Sequence, residues 1–330
     1  MNYHQLPKID LHCHLDGSTR PQTIIDLAKQ QGIKLVSQDP REIKKLIVAP
    51  ETCANLDEYL QRFALPNQVM QTAQALERIT FEVFEDAAQE NVTYLEIRFA
   101  PLLHTQGNLS IADVIESVIK GMQRAHEKYG IYGNIILCAL RHLPNENYKE
   151  MLTVGAHYLQ HNVVGFDIAG SEMDNFAANY IDLAHLAQHL GFRVTIHAGE
   201  QGCGQNVLDS IMLLGAQRIG HGIAITQHQP AYSCVKDKNI GVETCPTSNL
   251  QTKSIGCLSD HPVRDFFQDG LSVTINTDNR TVSNTTMTDE VRKVIETFHF
   301  SLEDYFHIYR YSVAQSFASE DVKTKLLKII

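Results

Sequence analysis

The sequence predicts a (β/α)8 TIM barrel with a helical insertion after the first strand and a C-terminal helical tail. Three observations carry that expectation. Short β-rich runs alternate with helical stretches along most of the 330 residues, the rhythm of a parallel sheet whose strands return through helices. About eight such runs can be counted, the number that closes a barrel typically needing about 250 residues. No Gly/Ser linker, low-complexity tract or clear internal repeat divides the chain, so residues 1–330 read as one domain. A doubly wound open sheet is the alternative.

The first run is Ile9 to Leu15. The stretch of about 22–90 that follows carries helix-forming sequence where a simple barrel has a single helix, predicting a helical subdomain or lid; within it Ile79, Val83 and Ala87 recur at helical spacing. Thr93 to Ala100 is the second run. Ser110 then stands as an N-cap before Ile111, Val114, Ile115 and Val118. The remaining runs are Asn134 to Leu140, Val164 to Ala169, Arg193 to His197, Arg218 to Gly220, Gly241 to Thr244 and Leu271 to Thr277, leaving a helical tail.

Charge narrows the partners. Acidic residues number 38 against 28 basic, a formal charge of -10, and the one basic run is Arg41 to Lys45. That balance disfavours a polyanionic nucleic acid and leaves room for a neutral small molecule. Seven cysteines, an odd number with no C-x-x-C pair, predict reduced thiols and a cytoplasmic protein. Met1 to Asp10 lacks the apolar core of a signal peptide, and no apolar stretch approaches the roughly 20 residues that span a bilayer. Oligomeric state is not legible here.

Four strand ends are unusually polar: His12-Cys13-His14-Leu15-Asp16-Gly17, His197-Ala198-Gly199-Glu200, His221-Gly222 and Asn276-Thr277-Asp278-Asn279. In a barrel these ends meet at one mouth. Strand side chains alternate, so His12 and His14 share a face and can ligate one ion while Cys13 points away into packing. His197 and Asp278 add the imidazole and carboxylate that a catalytic zinc takes while keeping a position for water; iron or cobalt accepts similar donors. One His-x-His pair among 16 histidines is unspecific. Several acid–base and ligand-type side chains at one rim are not. Read locally, His221 between two glycines is a histidine in a tight turn.

Pro7-Lys8-Ile9-Asp10-Leu11-His12-Cys13-His14-Leu15-Asp16-Gly17 resembles the opening motif of the adenosine deaminases in the amidohydrolase superfamily. Asp167-Ile168-Ala169-Gly170, His197-Ala198-Gly199-Glu200, Arg218-Ile219-Gly220-His221-Gly222, Cys245-Pro246-Thr247-Ser248-Asn249 and Asn276-Thr277-Asp278 follow in that family's order. The resemblance covers nearly the whole chain. It implies one Zn2+ per chain, held by His12, His14, His197 and Asp278, and hydrolytic removal of the purine 6-amino group with water as co-substrate. Glu200 resembles the family's proton shuttle to ring N1, and His221 the histidine that orients the water. Asp278 also accepts the water's proton.

Substrate contacts are implied at His14, at Asp16 for a ribose hydroxyl, and at the Gly170 N–H for purine N3. Tyr59, Leu60 and Phe63 resemble the family's hydrophobic gate, although their spacing also suits ordinary helix core. Aspartate at 16, where relatives acting on the free base tend to carry glutamate, favours a nucleoside. Two departures stand out. Asn279 replaces the usual second aspartate; its amide NH2 donates to the N7 acceptor at every pH, which a carboxylate does only when protonated. Ser171-Glu172 stands where Asp-Glu is more usual. The expected activity is deamination of adenosine and 2'-deoxyadenosine in purine salvage. The alternatives are a deaminase of adenine or of a modified or N6-substituted purine, and an inactive purine-binding relative. Nucleic acid is disfavoured again, because the Pro-Cys-x-x-Cys of polynucleotide deaminases is missing.

Overall fold

The computed structural model describes residues 1–330. Eight strands, β1 (Lys8–His14), β2 (Val92–Phe99), β3 (Tyr132–Leu140), β4 (Val163–Ala169), β5 (Arg193–Ala198), β6 (Arg218–His221), β7 (Gly241–Thr244) and β8 (Val273–Ile275), follow one another in sheet order. Each neighbouring pair is parallel. The first and last strands close the ring. Cys13 bridges Asp278, with His14 N–H donating to Asp278 O at 2.7 Å and Asp278 N–H donating to His12 O at 2.8 Å. A doubly wound sheet would reverse its strand order and keep two free edges; this one does neither.

The predicted runs fall on these strands to within two residues. The last is the most trimmed, Leu271 to Thr277 against Val273–Ile275, because the chain beyond Ile275 soon leaves the extended region, with Asp278 at φ 57. Between β1 and β2 lie five helices, α1 (Pro21–Gln31), α2 (Pro40–Ile47), α3 (Leu56–Leu60), α4 (Ala64–Val69) and α5 (Ala73–Gln89). The insertion is as helical as its sequence predicts. The chain goes on through α6 (Ile111–Tyr129), α7 (Glu146–Ala156), α8 (Ile181–Leu190), α9 (Gly204–Met212), α10 (Gln229–Asp237), α11 (Pro246–Gln251), α12 (Val263–Gln268) and α13 (Met287–Phe298). Ser110 caps α6 as expected, accepting from Asp113 N–H in a capping box. The tail is α14 (Leu302–Gln315) and α15 (Glu320–Leu327); Tyr309, Val313 and Leu326 bury against Ile9, Leu11 and Tyr94 beneath the barrel. No helix is long and apolar enough to cross a membrane.

The barrel interior is not wholly apolar. Arg98 on β2 donates to Asp167 and Glu243, each at 2.8 Å, and Arg218 on β6 donates to Glu243 and Glu96, each at 2.6 Å; all five side chains are fully buried. Charges out of water are tolerated only when so paired, and deleting one partner of such a pair typically costs about 3–5 kcal/mol. These ion pairs brace the strands directly below the polar mouth.

Candidate active site

At the C-terminal ends of the strands, β1 contributes His12 and His14, β5 contributes His197, β6 ends in His221, and Asp278 follows β8. His12 Nε2 lies 3.3 Å from Asp278 Oδ1, His14 Nε2 lies 3.4 Å from the same oxygen, and His14 Nε2 is 3.2 Å from His197 Nε2. The donor atoms of His12, His197, His221 and Asp278 all lie within 4.8 Å of one another. Five side chains therefore converge where the sequence pointed to four ligands. His221 stands inside the cluster. Cys13 faces the core, as the alternation of β1 requires.

The back of each ring is anchored. His12 Nδ1–H donates to Glu243 Oε2 at 2.8 Å, and His197 Nδ1–H donates to Asp167 Oδ1 at 3.1 Å. Both anchors turn Nε2 towards the cluster. Burial drives the His197 pKa down to about 4, with Asp167 opposing, and drives His14 well below its usual range, with Asp278 opposing. Both rings are thus neutral near pH 7, the state that can donate a lone pair to a cation. His221 at φ 65 and Asp278 at φ 57 occupy left-handed backbone that side chains other than glycine rarely adopt. Strain of this kind persists where surrounding contacts over-determine it, typically at functional sites.

A cavity of about 290 Å³ opens above the cluster, the size of a small-molecule site. Its polar wall carries His14, Asp16, Gly170, Glu200, His221, Asp278 and Asn279; its roof is Leu56, Tyr59, Leu60 and Phe63. All the sequence-predicted contacts therefore face one space, with His12 sealed beneath it at 0% exposure. Tyr59 is buried and shares a 2.6 Å hydrogen bond with Ser283, so the segment carrying Tyr59, Leu60 and Phe63 is docked by a polar contact as well as apolar ones. A more open groove of about 730 Å³ lies at the strands' other end beside Tyr94, Tyr132 and Phe317, away from the cluster.

Glu200 is 6% exposed. Burial raises its pKa, His221 opposes, and the nearby carboxylates of Asp278 and Glu172 raise it further. Its Oε2 is 3.7 Å from His221 Nε2. Burial likewise lifts Asp16 to about 6; Asp16 Oδ1 accepts from Gly17 N–H at 3.2 Å, so the turn and the cavity contact coexist. Asn279 Oδ1 has no hydrogen-bond partner and lies so near Gly17 that a Cβ there would sit 1.8 Å away.

Other residues of the site carry no motif. Asn67, Leu103, Leu140 and His142 line the cavity. Glu172, at one of the departures, accepts from the backbone N–H of Gly199 at 2.8 Å, Glu200 at 2.9 Å and Gln201 at 3.1 Å, holding the loop that presents Glu200. Glu243 also went unread. Its one signal is an acidic residue within a short strand buried along its whole length.

Residues 7–330 match the family model described as adenosine deaminase. The chain is 59% identical over 327 residues to a protein named adenosine deaminase from Vibrio vulnificus, covering 99% of each. Among solved structures it is similar to an adenine deaminase from Arthrobacter aurescens, with TM-score 0.90 and 25% identity over 98% of this chain and 97% of that one. An N6-methyl-AMP deaminase from Arabidopsis thaliana aligns with TM-score 0.86 and 26% identity over 99% and 96%.

Proposed function

The chain belongs to the adenosine deaminase family, and from that premise we propose that it hydrolyses adenosine and 2'-deoxyadenosine to inosine and 2'-deoxyinosine, releasing ammonia in purine salvage. The observation that carries the reading is Glu200, an acid of raised pKa, facing the same small cavity as a histidine–aspartate cluster, the ribose-type contact Asp16 and the base-type contact Asn279.

The donor set fits a metal ion. His12 Nε2 is fully buried and makes no well-formed hydrogen bond, its polar neighbour Asp278 Oδ1 lying 3.3 Å away, an arrangement that is costly unless something accepts its lone pair. His12, His14, His197 and Asp278 would hold the ion, and zinc suits three neutral imidazoles and one carboxylate. When bound, zinc supplies Lewis acidity that makes water nucleophilic near neutral pH.

The chain's own side chains do the rest. Protonated Glu200 gives its proton to purine N1, removing the negative charge that would build on the ring as water adds to C6. His221 orients that water and Asp278 takes its proton. The proton on Asp278 then passes to the 6-amino group, which leaves as ammonia, while the hydroxyl on C6 returns a proton to Glu200 as the carbonyl forms. Gly170 N–H donates to N3, the Asn279 amide donates to N7, and Asp16 accepts from a ribose hydroxyl. The apolar roof of Leu56, Tyr59, Leu60 and Phe63 keeps bulk water from the reacting carbon. Seven free cysteines fit a reducing compartment, the cytoplasm.

The test is a substrate panel run on protein of measured metal content. Adenosine and 2'-deoxyadenosine should turn over, and adenine and N6-methyl-AMP should not. Preference for either of the latter would replace this reading with that of the corresponding structural neighbour.

A further inference from the structure

One motif of the sequence, Cys245 to Asn249, has no part in the mechanism above, although it places Asn249 on α11 directly behind His221. Asn249 is fully buried, and so, at 2% exposure, is His261 in the loop before α12. Three hydrogen bonds join these residues in series. Val263 N–H meets His261 Nδ1 at 3.1 Å, His261 Nε2 meets Asn249 Oδ1 at 3.3 Å, and Asn249 Nδ2 meets His221 Nδ1 at 3.1 Å.

The direction of every bond follows from the first. A backbone N–H can only donate, so His261 Nδ1 carries no proton and a neutral ring must carry its proton on Nε2. Burial keeps that ring neutral, pushing its pKa down to about 3, with His221 adding to the shift. His261 Nε2–H therefore donates to Asn249, which fixes the amide with its oxygen towards His261 and its NH2 towards His221. That NH2 donates to His221 Nδ1, leaving the His221 proton on Nε2, on the side of Glu200 Oε2.

We infer that His261 and Asn249 are positioning residues that fix His221 as the Nε2–H tautomer, making it a hydrogen-bond donor towards the cavity without a net charge. A neutral donor suits the attacking oxygen as that oxygen gives up its proton, and it cannot act as the base. Proton removal then falls to Asp278. The consequence for turnover rests on the role proposed above for His221; the tautomer itself does not.

The test uses zinc-loaded enzyme and nitrogen-15 chemical shifts, which separate a protonated from an unprotonated ring nitrogen. Wild type should show His221 protonated on Nε2 alone. Asn249→Leu removes the donor at similar volume; it should admit the other tautomer and lower kcat about tenfold, the worth of roughly one hydrogen bond, with KM within about threefold and zinc still bound. His261→Leu frees the amide to turn over and should lower kcat less, whereas His261→Gln, which can donate to Asn249 Oδ1, should restore most of it. A proton on His221 Nδ1 in wild type overturns the inference, as does a His261→Gln variant no better than His261→Leu. A tautomer that changes in Asn249→Leu while kcat does not would leave the relay standing and remove His221 from the proposed mechanism. The wild-type spectrum decides the matter even if a variant fails to fold.

Discussion

His104, at the end of the short helical turn that follows β2, ties part of the stability of this fold to pH. It is fully buried behind the cavity residue Leu103, 5.9 Å from the ring of Phe99, and neither ring nitrogen has a hydrogen-bond partner. Burial pushes its pKa down from an ordinary value of 6.5 to about 4, with the Met70 backbone nearby opposing. As pH falls below 6.5 the unfolded chain takes up a proton at this position before the folded one does. The stability His104 allows is therefore complete above pH 6.5, declines as pH falls, and stops declining below about 4. At pH 5 the unfolded form is almost wholly protonated and the folded form only about one-tenth so, which amounts to about 2 kcal/mol of lost stability. In His104→Phe nothing titrates, and no well-formed hydrogen bond is lost. Urea unfolding of both proteins at pH 7.5 and 5.0 measures the difference, other titrating groups cancelling between them. Equal losses in the two proteins would refute the assignment of a buried ring held unprotonated.

Three further outcomes follow from the site. Glu243→Gln should weaken zinc binding about 10- to 100-fold in a chelator competition, because the anchor on His12 Nδ1 loses its charge; unchanged affinity would show that His12 needs no carboxylate behind it. Gly17→Ala puts a Cβ 1.8 Å from Asn279 Oδ1, so Asn279 must move from the cavity wall. KM for adenosine should rise at least tenfold with zinc content unaltered. Asn279→Asp donates to N7 only when its carboxyl is protonated, so its kcat/KM should fall with rising pH across a range where wild type stays level; parallel pH profiles would count against an N7 contact.

The barrel was legible because its strands are apolar runs that end in polar residues, a contrast visible in one dimension. His12 and His14 declare themselves by strand alternation, and Glu200 follows a predicted strand end. His221 was legible only through resemblance, since the Gly-His-Gly sequence reads locally as a turn. The backbone is turn-like there, at φ 65, and the ring lines the cavity. What stayed hidden is pairing across the interior. Glu243 bonds to His12, 231 residues away, and Arg98 to Asp167, 69 residues away. No periodicity encodes such partners, and the same is true of Glu172, whose acceptors' partners are backbone N–H groups that any sequence supplies.

The seam between His14 and Asp278 has a consequence for biosynthesis. A nascent chain displays His12 and His14 long before the residues that complete the cluster exist. The imidazole pair alone is a poor and unselective chelator, open to whichever ion meets it first. Selectivity arrives only when the last strand is translated and docks beside the first, the step that also closes the backbone ladder. On the ligand set proposed above, loading is completed only once the ring closes, and a ribosome stalled before residue 278 would release a chain lacking one of those ligands.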